Sequence, residues 1–102
     1  MLDAAGLADF RNFAKNRIAY ARYRVGSTYT KINLSSISIM NTGVVRAALN
    51  INSGGVAMTV NRVELYNSAG ELFAHEDCSI TIAAGQTGIL YWFDFNIQEV
   101  AS

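Results

Sequence analysis

His75, Glu76, Asp77 and Cys78 form the one run of side chains in this 102-residue chain whose types could hold a metal or activate a nucleophile. The chain has one histidine and one cysteine. A structural zinc site closes on four ligands, mostly nitrogen and sulfur. Successive side chains on a strand point to opposite faces, which sends His75 and Glu76 apart. A lone cysteine rules out an internal disulfide framework. As a nucleophile, Cys78 would need His75 as its base, yet catalytic pairs are usually brought together from distant segments. The expected reading is a polar loop whose cysteine turns inward, as free cysteine commonly does. Ser53-Gly54-Gly55 lacks the lysine and helix that complete a phosphate cradle. Asp94 stands beside Trp92 in an apolar strand with no second carboxylate nearby. No glycosidase pair is supported, and an exposed strand face is its expected place. No catalytic, cofactor-binding or metal residue is assigned, no cofactor is expected, and the chain is not expected to be an enzyme.

The aromatic residues offer a different chemistry. Tyr20, Tyr23, Tyr29, Tyr91 and Trp92 could build a stacking platform for sugars or bases, with Arg22 and Arg24 set between tyrosines. Aromatic residues are also what strands prefer, so packing in the core or at a subunit interface is the expectation. Formal net charge is zero, which argues against a dedicated nucleic-acid binder. The charges are nevertheless unevenly spread. Arg11, Lys15, Arg17, Arg22, Arg24 and Lys31 crowd residues 11–31, whereas Glu64, Glu71, Glu76, Asp77, Asp94 and Glu99 fall within residues 64–99. Either they pair within the subunit, or the subunit is bipolar and its basic part meets an acidic surface on a neighbour. Such complementarity sets register and association rate.

Composition bounds the rest. Hydrophobic residues make up 51% of the chain and charged residues 16%, against about 45–50% and about 25% in ordinary globular proteins. Such a chain folds, and it has apolar surface to spare for a partner. No apolar run approaches the roughly 20 residues of a bilayer span, and Met1-Leu2-Asp3 does not begin a secretory signal. Proline is absent.

One domain, 1–102, is expected, with a helix over 1–19 and a β-sandwich over 20–98. Leu7, Phe10, Ala14, Ile18 and Ala21 recur at helical spacing over residues 2–19. Asp3 suits the N-cap, and Arg11, Lys15 and Arg17 suit the later turns. The period then changes to two. Ala19, Ala21, Tyr23 and Val25 alternate with Tyr20, Arg22 and Arg24. Further strands are predicted at 31–40, 44–52, 56–66 (bent near Asn61-Arg62), 71–75, 79–82 and 89–97. In the last, Ile89, Tyr91, Phe93, Phe95 and Ile97 share one face. About seven short strands with frequent turns predict an antiparallel Greek-key or jelly-roll-like β-sandwich, mainly β, preceded by one amphipathic α-helix.

Several segments carry a resemblance: Gly6-Leu7-Ala8-Asp9-Phe10, the strand end Arg24-Val25-Gly26, the hairpin from Val60 through Leu65-Tyr66-Asn67-Ser68-Ala69-Gly70 to Ala74, and the aromatic strand from Gly88 to Ile97. Together they resemble the N-terminal attachment domains of bacteriophage tail fibres and related small tail and baseplate proteins. Asn67 stands where those domains commonly have aspartate, and Gly26-Ser27 where Gly-Asp-Gly often follows. No fibre shaft follows, from which a small standalone virion protein is expected. The resemblance implies a phage or prophage structural component of tail, baseplate or fibre attachment, made in the bacterial host cytoplasm and located in the virion. It would assemble with copies of itself and with neighbouring virion proteins, without nucleic acid, membrane or small-molecule substrate. The alternatives are a carbohydrate- or ligand-binding β-sandwich module and a capsid-surface (head decoration) protein. The expected interface is the helix and first strand: Leu7, Phe10, Arg11, Ala14, Lys15, Arg17, Ile18, Arg22 and Arg24. The helix packs either on its own sandwich or on a neighbour.

Overall fold

The structure, a computed structural model, describes residues 3–96. Leu2, Ile97 and Glu99 lie outside the described residues. The helix α1 spans Ala4–Arg17. Asp3 occupies the N-cap with extended backbone and makes no side-chain capping bond, so the cap is held by the Leu7 N–H on the Asp3 carbonyl at 3.0 Å. The helix ends where β-branched Ile18 turns extended; its N–H closes the last bond, to Ala14 O. No linker follows, because Ile18 is also the first residue of β1.

Seven strands follow: β1 (Ile18–Val25), β2 (Thr28–Ile32), β3 (Ser36–Ile39), β4 (Val44–Asn52), β5 (Met58–Asn67), β6 (Leu72–Ile82) and β7 (Gly88–Asn96). Sheet A has the order β2-β1-β5-β6 and sheet B the order β3-β4-β7, every pairing antiparallel. The protein is therefore a mainly β sandwich with one N-terminal helix, as its periodicity predicts. Two strands are divided differently from that expectation. The segment 31–40 is two strands, with β2 in sheet A and β3 in sheet B, joined across the sandwich at Asn33-Leu34-Ser35. The segments 71–75 and 79–82 are one strand, β6, and His75 to Cys78 lie within it rather than in a loop. The bend expected near Asn61-Arg62 is present as a register shift between Val60 and Arg62 against β6.

The core fills the space between the sheets. Ala21, Val60, Val63, Leu65 and Ile82 from sheet A meet Ala47, Leu49, Ile51 and Phe93 from sheet B, with Ile18 at the helix junction; Val45 on β4 is also fully buried. Tyr23 joins them, so it is a core residue and not part of a platform. The helix lies on β3, β4 and β1. Its Arg11 guanidinium covers Gly43, whose φ of 87° needs a residue without a β-carbon. The radius of gyration is 15.3 Å and the long axis 49 Å, against roughly 13 Å for a compact domain of about 100 residues. An elongated shape leaves more surface per unit of core, and Phe10, Phe13, Val56, Leu90 and Trp92 are exposed on it.

Gly88 is held by close approach rather than by φ: a β-carbon there would run into the carbonyl oxygen of Ile51 on the paired strand. Gly88→Ala is expected to destabilise the fold by about 1–3 kcal/mol, the usual cost of forcing extra volume into a packed site. Urea denaturation checks this.

Candidate functional site

Alternation along β1 that buries Ala21 and Tyr23 sends Tyr20, Arg22 and Arg24 to the outer face of sheet A. Register completes this face. Arg22 lies opposite Lys31 on β2 and Glu64 on β5, Arg24 opposite Tyr29 and Arg62, and Tyr20 opposite Tyr66. The centre is Glu64, whose side chain is 4% exposed. It accepts hydrogen bonds from Arg22 Nε, from Arg62 Nε at 2.8 Å and from the Tyr66 hydroxyl at 2.8 Å. Burial pushes the Glu64 carboxyl up, but the bonds from Arg22, Tyr66 and Arg62 together outweigh burial and hold it below its ordinary range. Tyr66 moves the other way: burial and its bond to the Glu64 carboxylate push its hydroxyl up.

Aromatic rings extend the network. Tyr20 and Tyr66 stack in parallel, centroids 5.2 Å apart. The Arg22 guanidinium lies 3.9 Å from the Tyr29 ring centroid, and the Lys31 ammonium 4.3 Å from that of Tyr20. Arg24 Nε donates to Asn61 at 2.6 Å, and Asn61 donates in turn to the Gly26 carbonyl at 3.1 Å. Of the five aromatic residues that could have built one platform, only Tyr20 and Tyr29 share this face, joined by Tyr66; Tyr23 packs in the core, as expected of strand aromatics. Tyr91 is on the inner side of β7, with its hydroxyl on Glu76, and Trp92 is on the outer face of sheet B. That second face carries Arg46, bidentate to Asp94 at 2.8 and 3.0 Å, with its guanidinium 4.0 Å from the Trp92 ring centroid. The bond from Arg46 lowers the Asp94 carboxyl against a smaller upward push from burial. Trp92 and Leu90 stay 53% and 55% exposed.

The helix residues separate by direction. Ala14 and Ile18 are buried in the subunit's own core, and Leu7, Arg11 and Lys15 are half-buried. Ala14 and Ile18 are therefore taken by the subunit itself. The outward side belongs to Phe10 and Phe13, 55% and 58% exposed, with the Arg17 guanidinium 5.6 Å from the Phe13 ring centroid. Phe13 is absent from the predicted stripe; its i, i+3 spacing from Phe10 is the signal that marks a shared side.

No family model, curated protein or solved structure matches the chain. What it can do is therefore argued from its surfaces. Among the described residues no three His, Cys, Asp or Glu side chains gather as a metal site, and no helix is long and apolar enough to cross a membrane. His75 and Glu76 point to opposite sides of β6: His75 lies opposite Glu64 on the outer face and Glu76 opposite Val63. Cys78 turns toward the core, its thiol 3.7 Å from the Val60 carbonyl. Burial, then the charges of Glu76 and Asp77, push that thiol up, which lowers the thiolate fraction that reacts. Cys78 is accordingly expected to react with a disulfide reagent at neutral pH more slowly than free cysteine, and to match it once the protein is denatured. Absorbance stopped-flow measures both rates.

Proposed function

We propose that this chain is a non-catalytic structural subunit, a small tail, baseplate or fibre-attachment component of a phage or prophage virion that assembles with its own copies and with neighbouring virion proteins. The virion assignment rests on the resemblance of the helix, hairpin and aromatic strand. The assembly role rests on one observation: Phe10 and Phe13 stand together on the side of α1 turned away from the sandwich. Burying such residues contributes about 25 cal/mol per Å² of apolar surface, from which the cost of association must be subtracted. Many copies multiply a weak contact.

The test is sedimentation of the purified chain against a Phe10→Ser/Phe13→Ser variant. Both sites are exposed, so the melting curve should barely move while self-association weakens by about tenfold or more, the scale of two hot-spot aromatics. A wild-type chain that stays monomeric at every concentration would sink the assembly role. Peptides of this chain in purified particles would support the virion assignment, and their absence from particles made by a producing host would overturn it.

A second reading, a carbohydrate-binding module, is favoured by Trp92, an exposed indole beside a bidentate Arg46–Asp94 pair. Trp92 is the chain's one tryptophan, so a change in intrinsic fluorescence on glycan titration reads this face directly.

A further inference from the structure

The helix α1 carries two stripes. Leu7, Arg11, Ala14 and Ile18 are the side turned to the subunit's own sheets, with Ala14 and Ile18 buried there. Gly6, Phe10, Phe13 and Arg17 form the second, with the alternating four- and three-residue steps of a coiled-coil seam. Phe10, Phe13 and Arg17 are exposed. The Arg17 guanidinium lies over the Phe13 ring, which keeps it on this stripe. Asp9, Phe10 and Phe13 line a surface hollow of about 230 Å³. With Gly6 they are residues i, i+3, i+4 and i+7, the four that frame the hole for a side chain of a facing helix. The charges along this stripe are sorted by end. Asp3 and Asp9, both exposed, stand three residues before and after Gly6, which sets them about 60° to either side of it around the axis. Arg17 closes the other end. No ion pair joins Asp3, Asp9 or Arg17 to another described residue. Asp9 and Arg17 are about 12 Å apart along the axis, too far to pair within one helix.

We infer that α1 pairs with the α1 of a second copy, antiparallel and across a two-fold axis, the Phe13 of each entering the hollow of the other. This rests on the reading of the chain as an assembly subunit and names the surface and geometry by which two copies meet. With the axis midway between Phe10 and Phe13, Phe10 faces the partner's Phe13 and Gly6 faces the partner's Arg17. Gly6 has no side chain to stand in the way of that guanidinium. Asp3 and Asp9 then flank the guanidinium, each about 4.5 Å away along the axis. The two-fold repeats the arrangement at the other end, so both copies have their acids and their cation met. Charge also excludes the other orientation. A parallel pair would set Arg17 against Arg17 and each aspartate against its own counterpart, and such like-charge juxtaposition suppresses association. The contact is self-complementary, so it closes at two copies and does not propagate.

The experiment uses the full chain in sedimentation velocity, with Asp9→Lys and Arg17→Glu variants. Both positions are exposed, so melting curves should barely move. Each variant alone should associate several-fold more weakly, since the two-fold makes every substitution act twice. Arg17→Glu should lose more, because it faces two aspartates. An equimolar mixture of the two should associate more tightly than either alone, because the mixed pair sets the new lysine against the new glutamate and Asp9 against Arg17. Should a reversed charge prevent folding, Asp9→Asn and Arg17→Gln carry the test, with smaller losses in the same order. Variants that associate like wild type, or a mixture no tighter than its components, would overturn the antiparallel pair while leaving the assembly role standing. A wild-type chain that is monomeric in every condition would overturn both.

Discussion

Replacing Phe93 with alanine is expected to lower the stability of the fold by about 3–5 kcal/mol. Phe93 is 5% exposed, faces Ala47 directly across the β4–β7 ladder, and packs on Phe95 with ring centroids 4.9 Å apart. The small partner is the reason for the size of the effect. Ala47 is fully buried and has nothing to extend into the space an absent ring would leave, so much of the cavity stays open. A domain of this kind holds about 5–15 kcal/mol in total. Phe95→Ala should cost less, because Phe95 is half-buried. Urea midpoints of the two variants, compared at equal slope, check the ranking. A Phe93→Ala midpoint close to wild type would mean that this face of β7 is not the core.

Glu64→Ala should produce the next largest loss. Removing one member of a buried ion pair costs about 3–5 kcal/mol because the partner is left uncompensated. Arg22 and Arg62 keep 36% and 20% of their side chains in water, which screens the charges left behind, so about 2–3 kcal/mol is expected. The same group sets a pH dependence. Its folded carboxyl lies below the ordinary glutamate value of about 4.3, so the native state binds fewer protons than the unfolded chain. The stabilisation is complete above that ordinary value and is lost as pH falls through the lower folded value. Urea unfolding at neutral and at acid pH should show wild type losing this stability, with Glu64→Gln losing less between the same two conditions.

The parts of the fold legible in the sequence are those where one face is buried along a whole strand. β4 and β7 alternate without interruption, and their inward residues are the ones periodicity assigns. The break between β2 and β3 is not legible, because the alternation of Ile32, Leu34, Ile37 and Ile39 says which side is apolar and not which sheet receives it. No glycine or proline marks the crossing at Asn33-Leu34-Ser35. The continuity of β6 is hidden for the opposite reason. Glu76-Asp77 reads as a loop, yet an edge strand has solvent along one side and tolerates those charges. A register shift there also breaks the alternation that would reveal the strand.

The candidate site divides in the same way. Tyr20, Arg22 and Arg24 are visible as one side of β1. Glu64 is not, because a single acid between Val63 and Leu65 looks like an ordinary outward residue. Its burial depends on Arg22, 42 residues away, and on Tyr66, which the sequence shows only as part of a hairpin. Pairing across strands distant in sequence leaves no trace in spacing.

The strand order of sheet B has a consequence for how the chain is made. β4 is sealed on one side by β3, which precedes it, and on the other by β7, which follows β5 and β6. A ribosome therefore releases the finished β4 long before its second partner exists. During that interval Val45, Ala47, Leu49 and Ile51 lie beside an open row of backbone donors and acceptors. Nascent chains on neighbouring ribosomes present the same row, and such species are the aggregation-prone ones. Contacts between strands so far apart also form slowly. Slower synthesis through β5 and β6 is therefore expected to increase the insoluble fraction without any change in the stability of the finished protein.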